Sequence, residues 1–97
     1  MNQRISNLRN KMKAQNLKAV LINNLKNVYY LTNFWGSNGT ALVTEERVVL
    51  FTDSRYTIHA HATCFPFVEI VETRDELTAA AEIVKDLGIK ELGLRTK

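Results

Sequence analysis

The sequence predicts an α/β domain in which helices pack on the faces of a mixed β-sheet, and three observations carry that expectation. The apolar run from Lys18 to Asn23 is bounded by polar residues and too short for a helix, as a strand buried on both faces would be. Two β-rich runs, Thr40 to Thr44 and Arg47 to Thr52, are separated only by Glu45 and Glu46, the spacing of a two-residue hairpin. Leu77, Ala80, Ala81, Val84 and Leu87 recur with helical period and stop at Gly88, where a left-handed C-terminal cap belongs. With the intervening segments these give the order αβαββαβαβ, which fits helices on a mixed sheet.

Taken in chain order, the first element is a surface helix from Asn2 to about Gln15, with Ile5, Leu8 and Met12 on its apolar face. The strand over Lys18 to Asn23 is expected to be central in the sheet. Leu25 to Leu31 reads as a short helix, capped by Asn23 or Asn24. Asn33 to Gly39 is a loop by its Gly, Ser and Asn content, although it holds Phe34 and Trp35. The hairpin that follows lacks the favoured Asn-Gly or Asp-Gly turn. Asp53 and Ser54 both suit the cap of a helix from Arg55 to about Ala62. Phe65 to Val71 is a strand with Pro66 at its entry, which favours a strand start or a sheet edge. Thr73 and Glu76 have capping-box spacing ahead of the next helix, and Glu91 to Leu94 is the last strand.

The 97 residues suit a single domain spanning 1–97, and 45% hydrophobic against 24% charged residues places the chain among soluble globular proteins. No apolar run approaches a membrane span and the N-terminus lacks the apolar middle of a signal peptide, so a cytoplasmic location and no membrane partner are expected. One cysteine, Cys64, excludes a disulfide scaffold and a structural zinc site built on thiolates. The chain carries a net charge of +3, unevenly spread: every Asp and Glu lies at or after Glu45, whereas Arg4, Arg9, Lys11, Lys13, Lys18 and Lys26 precede it. On a helix, Arg4, Arg9, Lys11 and Lys13 flank the apolar face on both sides, the pattern of a solvated face; no nucleic-acid partner is expected. A nucleic-acid domain would instead show affinity that falls with salt.

Among chemistry-bearing residues, His59, His61 and Cys64 are the obvious ligand or nucleophile candidates. On a helix the two imidazoles point about 200° apart, so only His61 and Cys64 could meet. Asp53 with Glu45, Glu46 or Glu69 could form a carboxylate pair, but nothing in the spacing unites them, and Asp53 serves better as a cap or a partner for Arg55. Gly36 and Gly39 match no phosphate-binding spacing. Tyr29, Tyr30 and Phe34 are assigned to the core. Trp35, beside a glycine in a loop, is either a contact residue for another domain or subunit or a plug for the core.

Two motifs, NVYYLTNFWGSNGTALVT over Asn27 to Thr44 and LFTDSRY over Leu50 to Tyr56, follow a helix and the LKAVLINN strand. With the strand at Glu69 to Val71 and the Leu87-Gly88-Ile89 approach to the last strand, they make nearly the whole chain resemble the N-terminal domain of the creatinase/prolidase family of Xaa-Pro peptidases. The resemblance implies a three-layer α/β/α unit of ribonuclease-H-like topology, itself without a cofactor and without catalytic residues. It further implies a separate catalytic domain of the same chain, where two Asp, one His and two Glu hold two divalent ions, manganese among them, that activate water against the Xaa-Pro bond. The implied partners are that catalytic domain, a second copy in a homodimer, and short proline-containing peptides. Carried onto this sequence, the loop that reaches a neighbour's active-site mouth corresponds to Phe34, Trp35, Gly36, Ser37 and Asn38. Gly36 and Gly39 would give backbone freedom, and Arg55 and Tyr56 would support the loop or meet the partner. The ending on Arg95-Thr-Lys97 directly after an apolar strand is expected of a domain taken from a longer protein. A standalone binding or assembly module of the same fold is the alternative.

Overall fold

In the computed structural model, residues 3–36, 39–88 and 94–96 are described, and their elements follow the predicted order. They are α1 (Gln3–Ala14), β1 (Ala19–Ile22), α2 (Leu25–Thr32), β2 (Thr40–Thr44), β3 (Val48–Thr52), α3 (Thr57–Thr63), β4 (Glu69–Glu72), α4 (Glu76–Asp86) and β5 (Leu94–Thr96). The sheet has five strands in the order β4-β3-β2-β1-β5. β2 runs antiparallel to both β1 and β3, while β4 joins β3 and β5 joins β1 in parallel. β1 is therefore an interior strand, as its four buried residues require, but β2 holds the middle position.

Alternation along the strands divides the core into two layers. Val20, Ile22, Ala41, Val43, Val48 and Leu50 face α1, α2 and α3, where Ile5, Met12, Val28, Leu31 and Ala60 close over them. Ala19, Leu21, Leu42, Val49 and Phe51 face the opposite side, covered by Ala80 and Val84 of α4. The result is the expected α/β/α sandwich. Phe65, Pro66 and Phe67 lie outside the strand assigned to them: Pro66 sits inside a turn closed by the Val68 N–H on the Phe65 carbonyl (3.0 Å), and β4 starts at Glu69 on the sheet edge. The last strand lies at Leu94–Thr96 rather than Glu91 to Leu94, of which 91–93 are outside the described residues.

Local chemistry accounts for the joints. α1 ends in a Schellman motif: Leu17 N–H reaches the Met12 carbonyl (2.8 Å), Asn16 N–H reaches Lys13 (3.1 Å), and Asn16 takes the left-handed φ of 58°. The Glu45-Glu46 hairpin turn forms without Asn or Gly because the Thr44 hydroxyl oxygen accepts the N–H groups of Glu46 (3.3 Å) and Arg47 (2.9 Å). Asn24, not Asn23, caps α2, its side chain accepting the N–H of Lys26 at 3.0 Å.

Three details of the helices differ from expectation. Neither Asp53 nor Ser54 caps α3, which begins after Tyr56 with no side-chain cap; the Asp53 carboxylate instead closes a turn on the Arg55 N–H (3.0 Å). The box of Thr73 and Glu76 does not form, because Asp75 is the cap of α4, taking the N–H of Thr78, and Glu76 turns away to accept the Thr40 hydroxyl (3.0 Å). Leu77 and Leu87 are exposed, since α4 lies on the sheet through Ala80 and Val84, flanked by Ala79 and Ile83. Gly88 has the expected left-handed φ, at 71°.

The directions of the strands place the C-terminal ends of β1, β3, β4 and β5 at one end of the sheet, with the N-terminus of β2. The Asp53 to Tyr56 turn leaves β3 there and Gly39 enters β2 there, so the two motifs singled out in the sequence are neighbours in space.

Candidate functional site

The site begins at the end of α2. Asn33 adopts φ 67°, its N–H reaches the Tyr29 carbonyl (2.8 Å) and its side-chain amide donates to the carbonyl of Thr63 at the end of α3 (2.8 Å). This left-handed residue stops the helix and ties it to α3. Buried Thr32 fixes the next step: its hydroxyl donates to the Val28 carbonyl (2.6 Å) and accepts the N–H of Phe34 (3.1 Å). The chain then passes along α3, with Phe34 turned inward and Trp35 outward.

Phe34 is 1% exposed and meets Tyr56 and His59 edge to face, at ring separations of 6.1 and 5.7 Å. It belongs to the core, so of the aromatic pair in the loop only Trp35 can touch another molecule. Gly36 and Gly39 flank the Phe34 ring. A Cβ would lie 2.5 Å from Phe34 Cζ at Gly36 and 2.6 Å from Cε2 at Gly39, so these glycines provide space for the ring rather than the backbone freedom expected of them. Tyr29 and Tyr30, expected in the core, are half-exposed; the guanidinium of Arg4 lies 4.4 Å from the ring centre of Tyr30.

Trp35 is 64% exposed, which removes the reading of it as a core plug. Its indole crosses the His59 imidazole nearly at right angles, 79°, with ring centres 4.6 Å apart. On the turn that precedes α3, Arg55 forms an ion pair with Asp53 (2.7 Å) and lies over the Tyr56 ring at 5.3 Å. The hydrogen bond that Arg55 donates to Asp53, and the carboxylate's charge, hold the guanidinium proton more firmly than usual. Tyr56, half-buried, packs edge to face against Phe34. Phe34, Trp35, Gly36, Arg55 and Tyr56 are thus brought to one corner of the domain; Ser37 and Asn38 lie outside the described residues.

The remaining candidates separate. Cys64 is half-buried, and burial pushes its thiol up to about 11, far from a nucleophile's range. Glu69 pairs with Arg47 (2.9 Å) and Glu45 approaches Lys18 (3.7 Å), so neither joins Asp53. The carboxylate that does sense Asp53 is Glu76, raised chiefly by burial and also by the Asp53 charge, with its Oε1 buried and unpartnered. No spacing in the sequence announces that approach, because it joins the end of β3 to the start of α4 across the sheet end. His59 also joins the loop; its position in the first turn of α3, three residues beyond the Tyr56 that precedes the helix, is the one signal that could have placed it there. Among the described residues, no three His, Cys, Asp or Glu side chains converge as metal ligands.

Comparison with known proteins gives a consistent result. The family described as Creatinase/Prolidase N-terminal domain matches residues 4–96. The peptidase YqhT of Bacillus subtilis is 35% identical over 91 residues, covering 93% of this chain; the chain spans only 26% of that relative's length. An Xaa-Pro aminopeptidase structure from Streptococcus pyogenes superposes with a TM-score of 0.84 at 41% identity, over 90% of this chain and 67% of that one. The N-terminal domain of the cytoplasmic peptidase PepQ from Mycobacterium tuberculosis superposes with a TM-score of 0.91 at 34% identity, over 100% of this chain and 74% of that one.

Proposed function

Since the chain belongs to the creatinase/prolidase N-terminal domain family, we propose that it is the non-catalytic N-terminal unit of a cytoplasmic, metal-dependent Xaa-Pro peptidase, working beside a catalytic domain of the same chain and within a homodimer. Similarity to the Xaa-Pro aminopeptidase structure supports the Xaa-Pro bond as the substrate class, and in this reading the substrates are short peptides with proline after the scissile bond. The two divalent ions that the family resemblance implies, manganese in this reading, do not fit the described residues. Asp53 is paired with Arg55, Glu72 accepts the Thr57 hydroxyl, and Glu76 accepts the Thr40 hydroxyl, with no converging third ligand. The ions therefore belong, in this reading, to the catalytic domain, and no step of hydrolysis is assigned to this chain.

The observation that carries a role for the domain is Trp35, a large apolar ring left 64% exposed beside tightly packed Phe34 and the two glycines. An indole on a constrained backbone presents a flat contact surface with little conformational entropy to lose, as a rim for the active-site entrance or a subunit contact requires. In the full gene product, Trp35→Ala is expected to raise KM for Xaa-Pro peptides several-fold with little change in kcat, while stability changes by less than about 1 kcal/mol, as at an exposed position. A chelator should abolish the same activity and manganese restore it. Loss of stability with unchanged kinetics in Trp35→Ala would instead make the ring structural, and no Xaa-Pro hydrolysis by the metal-loaded full product would remove the peptidase reading.

A further inference from the structure

His59 stands against Trp35 in a way that packing alone does not explain. Its Nε2 is buried and has no hydrogen-bond partner among the described residues, although a buried imidazole nitrogen without one is costly. Two aromatic rings lie against it: Phe34 at 5.7 Å and 71°, and Trp35 at 4.6 Å and 79°. Both cross the imidazole near the perpendicular, the arrangement in which a ring N–H can point at a π face. An imidazole nitrogen lies about 1.1 Å from its own ring centre, so the shorter separation brings a nitrogen directed along that line to about 3.5 Å from the indole centre, within reach of an N–H···π contact. The longer separation to Phe34 leaves it too far.

We propose that His59 is the positioning residue of Trp35: it carries its proton on Nε2 and donates it to the indole face, holding the exposed ring flat along α3. The buried Nε2 then has an acceptor, and the indole of a loop residue has a fixed orientation that no backbone hydrogen bond described for Trp35 supplies. The effect is to present one face of the indole to whatever approaches the loop. This deepens the reading of Trp35 as a contact residue and rests on it only for its consequence; the contact itself stands or falls separately.

Trp35 is the single tryptophan, so its fluorescence reports this contact alone in the 97-residue chain. Time-resolved anisotropy should show an indole that tumbles with the domain in the unmodified chain. In His59→Leu, which keeps apolar bulk without a donor, the detached fraction should rise about three-fold, the change expected when a weak contact of this kind is lost. His59→Gln, which can place an amide N–H near the position of Nε2, should restore the slow signal. If His59→Leu holds the indole as firmly as His59 does, or if Gln fails to restore it, the N–H contact is not what holds Trp35. A measurement without substitution covers the case of a variant that does not fold. In the ¹⁵N spectrum of histidine-labelled chain, the neutral His59 should be protonated at Nε2, with that proton shifted upfield by the indole ring. Protonation at Nδ1 would overturn the proposal. Neither readout involves peptide hydrolysis, so failure here and failure of the peptidase reading are told apart.

Discussion

A methyl group added at Gly36 would lie 2.5 Å from Phe34 Cζ and 3.0 Å from Tyr56 Cδ1, closer than packed atoms tolerate. The aromatic ring is the rigid part of a fully buried side chain and cannot swing aside, so the backbone must shift. Gly36→Ala should destabilise the domain by about 1–3 kcal/mol, the range for overpacking, measured by urea unfolding with an unchanged m-value. Combining it with Phe34→Leu should cost less than the sum of the two single changes, because the truncated ring frees the space that the methyl needs. At Cys64 the governing quantity is solvation. Burial raises the thiol from 9.0 to about 11, although the Thr32 hydroxyl partly offsets that. Alkylation by iodoacetamide at pH 8 should therefore run about a hundredfold slower than for an unshifted thiol and speed up tenfold per pH unit. Because the folded state holds this proton more tightly than the unfolded chain, the associated stability is intact below pH 9 and is lost as pH rises toward about 11. Rapid alkylation at pH 8 in the folded chain would show Cys64 to be more solvated than this.

At the level of elements, α2 illustrates how much local chemistry decides. Its eight residues are too few for a stable isolated helix, so its ends and its packing must hold it. Asn24 supplies the N-terminal acceptor and Asn33 the left-handed stop. Asn24→Ala should cost about 1 kcal/mol, the usual worth of such a cap, with helical far-ultraviolet signal and urea midpoint falling together. An unchanged midpoint would mean that contacts between α2 and the sheet already fix the helix. The same element shows what was readable in advance. Its span and cap were visible because Asn precedes a run of helix formers and apolar residues, and the hairpin was visible because two strand-like runs stood two residues apart. The starts of α3 and α4 were misplaced because Asp53 and Glu76 act through long-range or ion-pair partners, Arg55 and Thr40, that sequence spacing does not announce. For the loop, composition suggested backbone freedom at Gly36 and Gly39, whereas the deciding fact is the ring of Phe34 lying between them. Which of Phe34 and Trp35 faces outward follows from the Thr32 and Asn33 hydrogen bonds, a three-dimensional arrangement with no period in the sequence to betray it.

Across the whole molecule the charge is segregated, basic before Glu45 and slightly acidic after it, and a net +3 invites a nucleic-acid reading. The fold spends several of those cations on itself. Arg4 donates to the Tyr30 carbonyl (2.9 Å), Lys18 approaches Glu45, and Arg9 reaches across from α1 to the hairpin, its guanidinium donating to the carbonyls of Thr44 (2.9 Å) and Arg47 (3.4 Å). Thr44 and Arg47 flank the turn between β2 and β3, so Arg9 ties the first helix to the hairpin, beside the pairing of Thr44 with Ala19 of β1. Hydrogen bonds to a charged donor in a part-buried place are worth more than surface ion pairs, so Arg9→Ala should lower stability by about 1–3 kcal/mol. Weak adsorption of a DNA oligonucleotide at low salt should keep the same dependence on salt in this variant. A log–log salt slope shallower by about one unit in Arg9→Ala would mean that Arg9 neutralises a phosphate, and would return the basic end to nucleic-acid binding. An unchanged slope together with a lowered melting temperature would place Arg9 in the architecture, as its two carbonyl partners imply, with the positive charge of the first half serving the packing of α1 on the sheet.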